Sequence, residues 1–426
     1  MDFKTDFRLV ADFIHRTFPD TMKPASGNLH YPYVAPGGPY SDNLWDWDSY
    51  WTLFAVLNRC VQCGDQQFLD AIRPFARGTL FNFLEHQQND GAIPILILPQ
   101  DADPFDCLLT ADNNMAKPFL AQLTRLLWEH GMLEKAELAG ILPRLQAFHD
   151  CYFDRYGHPE TGLVFWAKDW GIGADDDPAA WGRPEKSCAS IYLNSFLYRD
   201  LQSAAFLAEL GQDRKFQEYS SHQAEKLAAA IRKYCWDDRE KAFFSVDIQC
   251  RQNISMHRLW GAMNENLVPW WNCVQLKILS WSSFLPFWCG IGTTDEFDEF
   301  LKENIVPSRL LSDYGIRSLS RDEPMYDGET SRGNPSNWLG PVWTIVNYIF
   351  WETLHKFGRT SMADELAENL TSLLALDLQK NGCLNEYYSP ETGQARSGDN
   401  FMSWNALCSL MQKNSTGRSF DKFELG

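Results

Sequence analysis

The chain has 426 residues, room for two or three average domains, yet no Pro/Gly/Ser-rich linker, charge block or low-complexity run divides it. One large domain spanning 1–426 is expected, with a core that needs neither disulfides nor a structural metal. A formal net charge of −18 argues against a nucleic-acid backbone or an anionic membrane as partner and favours a small or neutral ligand.

In chain order, apolar residues recur at helical spacing over 4–18, 45–62, 67–87, 113–131, 134–153, 188–210, 213–235, 269–288, 294–304, 338–357, 360–379 and 399–412. Many of these segments meet in short Gly or Asp turns, as at 211–213 and Gly358, so they read as successive hairpins. Strand signals are few and short, near 93–98, 164–166 and 243–247. An all-α domain with small β elements follows. Paired helices in this number either stack as a solenoid or close into an (α/α)6 toroid, and the lack of a fixed-period repeat weighs against the solenoid. Three long irregular connections, near 158–187, 236–268 and 305–337, are rich in Gly, Pro, Trp, Asp and Tyr. Loops of such length in a compact domain are usually functional or disordered, and their aromatic content argues for order and a site.

The N-terminal segment lacks the basic region and apolar stretch of a secretory signal, and no later run reaches membrane-spanning length. Eleven cysteines, an odd number at irregular spacing, read as reduced thiols, and a cytosolic location is expected. Cys60 and Cys63 form a C-x-x-C, but no second pair follows at zinc-site spacing, and the nine histidines form no metal-binding motif. No metal or cofactor is expected; self-association is left open.

Four segments hold the residue types that bind and cleave sugars. In residues 43–51, NLWDWDSYW, the aromatics Trp45, Trp47, Tyr50 and Trp51 surround Asp46 and Asp48. Carboxylates accept hydrogen bonds from sugar hydroxyls and indole faces stack on a pyranose, although acids also favour a first helical turn and tryptophans a core. In residues 169–178, DWGIGADDDP, small residues let the backbone approach a ligand, and one carboxyl could be held protonated by burial or a neighbouring charge. In residues 337–343, NWLGPVW, Trp338 and Trp343 stand at another helix start. In residues 385–393, NEYYSPETG, Glu386 precedes a turn that exposes Glu391. Paired carboxyls among aromatics are the material of a glycosidase.

WDWDS at 45–49, GIGADDDP at 171–178, NWLGPVW at 337–343 and EYYSPETG at 386–393 together resemble glycoside hydrolase family 63, collinearly from about residue 30 to residue 410. The compact length and the WDWDS form are similar to its mannosylglycerate and glucosylglycerate hydrolases. The resemblance implies an (α/α)6 toroid with its site at the wide end and an inverting mechanism on an α-linked sugar. It places Asp175 at the general acid, Glu386 at the general base, and Asp48 with Trp45 and Trp47 around the first sugar. Tyr40, Trp338 and Trp343 are expected to complete the pocket. One departure stands out: Asp176 occupies a position where many relatives have Asn, so three consecutive aspartates compete for the acid's role.

If the acceptor is glycerate, a cation should reach its carboxylate, with candidates Arg183, Lys186, Arg251, Arg317 and Arg321. Two rivals remain: another enzyme on the same toroid, such as a trehalase-like hydrolase, epimerase or lyase, and a non-catalytic sugar-binding protein.

Overall fold

Three helix starts in this chain are fixed by aspartates, Asp2, Asp65 and Asp213, and several of its hairpin turns by glycine. The computed structural model describes residues 2–100, 112–250, 271–329, 336–398 and 400–413. Asp2 accepts from Thr5 N to open α1 (Phe3–Thr17). Helix α2 (Asp46–Cys63) ends on Gly64 in the left-handed conformation, φ 70°, and Asp65 immediately caps α3 (Gln66–Glu85) by accepting from Phe68 N.

The chain then alternates. Helices α4 (Leu120–Glu129), α6 (Ile191–Gly211), α8 (Leu285–Trp288) and α10 (Thr344–Lys356) join α2 and the 3-10 helix Ser403–Leu410 in an inner ring. Each packs on the next, and the 3-10 helix returns to α2, which closes the ring. Outside lie α1, α3, α5 (Lys135–Tyr156), α7 (Arg214–Cys235), α9 (Thr294–Phe300) and α11 (Thr360–Asn381), with α11 packed on both α10 and α1.

Burial explains which helix goes where. Inner α2 buries 13 of its 18 residues, and α10 buries every residue from 344 to 354. Outer α7 buries only a stripe at Phe216, Ser220, Ala224, Leu227, Ala230, Ile231 and Cys235, the spacing of one helical face. The fold is the (α/α)6 toroid.

Several expected elements are shorter than their apolar spacing suggests. The helix expected over 113–131 begins only at Leu120, because Pro118 disfavours helix at Lys117 and Asn114 turns its amide to Lys168 O and Trp170 O. The helix expected over 269–288 is reduced to α8. It is preceded by strand Val274–Gln275 and the 3-10 turn Trp281–Phe284, where Ser280, Ser282 and Ser283 bond among themselves and to local backbone. The segment 294–304 ends as a π turn, Leu301–Ile305, and 399–412 is the 3-10 helix.

All described strands are two residues long. Leu44–Trp45 pairs with Leu96–Ile97, and Cys188–Ala189, Val246–Asp247 and Val274–Gln275 form an antiparallel triple. Near 164–166 there is one bridge, Gly157 with Val164. The stretch 251–268 of the second long connection lies outside the described residues. Among the described residues no helix is long and apolar enough to cross a membrane, and ten cysteines are free thiols.

Candidate active site

Five of the six connections from an outer helix to the next inner one meet around a cavity of about 510 Å³. Its lining comes from those connections and the first turns that follow. Tyr40, Trp45, Trp47 and Asp48 lead into α2, Ile95 and Lys117 lead to α4, Gly171, Gly173 and Asp175 to α6, and Ser336 to α10. Glu386, Phe401 and Trp404 lead into the 3-10 helix.

The strand pairing of Trp45 with Leu96 fixes where α2 begins. Asp46 then turns inward: its Oδ1 accepts from Trp47 N at 2.7 Å, and its Oδ2 accepts from Lys117 N at 2.7 Å and pairs with Lys117 Nζ at 3.0 Å. Asp48, two residues on, faces the cavity and accepts from Ser403 Oγ at 3.0 Å. Burial, and then the Asp46 charge, push the Asp48 carboxyl up to about 7, with Lys117 and the Ser403 bond opposing.

The aspartate run is resolved by its bonds. Gly171 and Gly173 take φ +69° and +92°, and a Cβ on them would stand 2.8 Å from Ile95 Cδ1 and from the Trp47 ring, so side chains are excluded at both. Tyr192 on α6 donates to Ile172 O and anchors the loop. Of the three acids that follow, Asp175 lines the cavity. Asp176 is turned away, its Oδ1 accepting from Trp338 N at 2.7 Å, and Asp177 accepts from Ala179 N at 2.9 Å across Pro178. Burial first, then the nearby Asp175 charge, raises Asp176 to about 7, and burial alone raises Asp177 to about 6.

Glu386 is 3% exposed, and its Oε2 has no hydrogen-bond partner among the described residues. The backbone holds it, with Glu386 N donating to Ser397 O at 2.6 Å and Gly398 pressed against its Cβ. Burial, then the charges of Asp48 and Asp175, push the Glu386 carboxyl up to about 8. The same three acids, after burial, raise the Tyr40 phenol. Asp48, Asp175, Glu386 and Tyr40 therefore converge on one space.

Trp338 and Trp343, expected against the sugar, are set back from the lining. They stack on each other, centroids 4.2 Å apart and planes 11° apart, and back the cavity-facing Trp47 and Trp404 at 5.9 and 5.6 Å. Neither lines the cavity as Trp47 and Trp404 do, so they brace the platform from behind. Lys117, Phe401 and Trp404 line the cavity without having been singled out from the sequence. Only the aromatic pair in 401–404 carried a signal, and it was masked by the apolar spacing of that segment.

Of the five cations considered for an acceptor carboxylate, the four among the described residues do not line the cavity. Arg183 pairs with Asp247, Lys186 with Asp112 at 2.6 Å, and Arg317 with Glu391 at 3.2 Å. Arg321 stands 4.0 Å from Asp322, and Arg251 lies outside the described residues.

Fold and site together define an acid-lined (α/α)6 toroid of the kind glycoside hydrolases use. The model of the mannosylglycerate hydrolase MGH1-like glycoside hydrolase domain matches residues 43–404, and the chain belongs to that family. This agrees with the resemblance to family 63 carried by the four motifs. Mannosylglycerate hydrolase MGH1 of Selaginella moellendorffii is 26% identical over 314 residues, which span 63% of this chain and 59% of that protein, so the match takes in less than two thirds of the relative. Among solved structures, the GH63 mannosylglycerate hydrolase from Thermus thermophilus in complex with Tris and D-glycerate superposes with TM-score 0.67 at 17% identity, covering 94% of this chain and 99% of that one. Neutral trehalase Nth1 from Saccharomyces cerevisiae gives 0.61 at 17% identity, covering 91% and 74%. At these identities the two structures share the fold with this chain.

Proposed function

We propose that this protein is a cytosolic, inverting α-glycoside hydrolase for a small α-linked glycoside, α-mannosyl- or α-glucosyl-glycerate. Asp175 protonates the leaving oxygen, and Glu386 takes a proton from a water that attacks the opposite face of the sugar. The observation that carries this reading is that Asp175, alone of the three consecutive aspartates, shares a cavity with Glu386, a buried carboxyl with one oxygen that has no hydrogen-bond partner among the described residues. Asp48 and Tyr40 hold sugar hydroxyls, with Trp47 and Trp404 as the apolar platform.

Asp48 and Glu386 are buried and both pushed up, and the reaction requires one proton, on Asp175, with Glu386 ionised. Each turnover leaves the Asp175 proton on the hydroxyl of the leaving group and a proton of the water on Glu386, and exchange with solvent resets the pair. Inverting pairs stand about 6.5–9.5 Å apart, which leaves room for the water.

Proton NMR during early turnover tests the mechanism: an α-linked substrate yields the β-sugar first, and an initial α product refutes the assignment of Glu386. A second reading, a neutral α-linked disaccharide as substrate, is favoured by one fact. Among the described residues lining the cavity, the only cation is Lys117, and it is bound to Asp46. Comparing glycosyl-glycerate with the matching glycosyl-glycerol decides between them, since equal kcat/KM means that no acceptor carboxylate is recognised.

A further inference from the structure

Lys117 is an unusual lining residue. It is 3% exposed, its ammonium carries three N–H donors, and among the described residues Nζ forms one ion pair, with Asp46 Oδ2 at 3.0 Å. A buried ammonium with donors to spare is costly unless something else accepts from them. Its position is also fixed from several sides. The backbone N is held by Asp46, Nζ lies 5.3 Å from the centroid of the Trp47 ring, and the side-chain Cδ would be 3.3 Å from a Cβ on Gly173. The cavity that Lys117 faces is also lined by Asp48, the acceptor in the first turn of α2, and by Trp47.

A donor and an acceptor that line one cavity with an indole can read hydroxyls on a pyranose bound there, the ammonium giving a hydrogen bond and the carboxylate taking one. Resting on the glycosidase reading above, we infer that Lys117 is a specificity-determining residue whose spare N–H groups donate to a hydroxyl of the glycone, next to the hydroxyl held by Asp48. Asp46 is then its positioning residue: it neutralises and aims the ammonium without touching the sugar. The alternative is an ion pair that only ties the start of α2 to the segment before α4.

The test is a cycle between enzyme and substrate. Wild type and Lys117→Met are assayed on the best substrate from a panel of α-mannosyl-glycerate, α-glucosyl-glycerate and α-linked disaccharides, and on the monodeoxy analogues of its glycone. Loss of one charge-assisted hydrogen bond lowers kcat/KM about 10–100-fold. Lys117→Met should show that loss on the parent but no further loss on one particular deoxy analogue, while the other analogues keep their full wild-type penalties. A uniform loss across all analogues, with no coupling to any position, overturns the inference and leaves a structural pair. Because Lys117→Met leaves Asp46 buried and unpaired, the Asp46→Asn/Lys117→Met double variant, which is neutral at both positions, is run beside it and is expected to show the same coupling. If wild type cleaves nothing on the panel, the glycosidase reading itself has failed.

Discussion

Helix α2 has a cavity at each end, and the two are nearly equal in size, about 510 Å³ at its N-terminal end and about 530 Å³ around its last turn. Eighteen residues of helix separate them by about 27 Å. The second is lined by α1, Arg59, Cys60, Cys63, Asp65 and Phe68. Of its two acids, Asp12 is exposed and Asp65 is spent on capping α3 and lies 3.9 Å from His15, while Cys63 is open to solvent. At the first, Asp48 and Glu386 are buried, raised and short of cations. Volume does not separate the two cavities. What does is whether buried acids are left without the partners that would quiet them, the condition under which carboxyls become reactive.

That contrast breaks most readily at the proton-transfer pair. Asp175→Asn and Glu386→Gln should each lower kcat by about 10²–10⁴-fold or more with the fold intact, as seen by circular dichroism. Asp176→Asn should be much milder, since the amide oxygen can still accept from Trp338 N. A dead Asp176→Asn beside an active Asp175→Asn would move the acid by one residue.

Stability should respond in opposite directions at the two ends. The folded-state value of Glu386, about 8, lies above its ordinary 4.5, so the folded protein binds the extra proton between these limits and loses stability as pH rises through them. Glu386→Gln should therefore raise Tm at pH 8, on the order of a few degrees, with the gain vanishing near pH 4; Asp48→Asn should follow over the narrower range up to about 7. At the other cavity, Asp65→Ala should lower stability by about 0.5–2 kcal/mol through loss of the cap, measured by chemical denaturation. The smallest effect is expected for Cys63→Ser, an exposed thiol: stability within about 0.5 kcal/mol of wild type and unchanged turnover. A loss of activity there would show that the second cavity communicates with the first.

The ring itself was legible because it is written locally. Helical periodicity, aspartate caps and glycine ends are short-range signals, and the alternation of largely buried with striped helices follows from them. The places where spacing misled, 113–119 and 269–284, are those where Pro118 or the serines of 280–283 give the backbone a rival set of bonds. At the site, the motifs brought Asp48, Asp175 and Glu386 into view, but three adjacent aspartates look alike until Trp338 N and Ala179 N occupy two of them. Which tryptophan faces the cavity and which one backs it is likewise a long-range matter: Trp343 and Trp404 are about 60 positions apart in the chain but lie 5.6 Å from each other. Lys117 gave no signal because its partner, Asp46, is 71 residues away.

The strict alternation of inner and outer helices has an electrical consequence. A chain that turns back at every hairpin must run all its inner helices in one direction, so α2, α4, α6 and α10 begin at the cavity and end at the far face. Their aligned peptide dipoles place roughly half a positive charge at each start and the opposite at each end. The molecule is thus polarised along its ring axis in a way that its net charge of −18 conceals. The face that gathers the acids is the one the backbone makes electropositive, and an anionic acceptor arriving there would meet a field set by the peptide groups before it met any side chain.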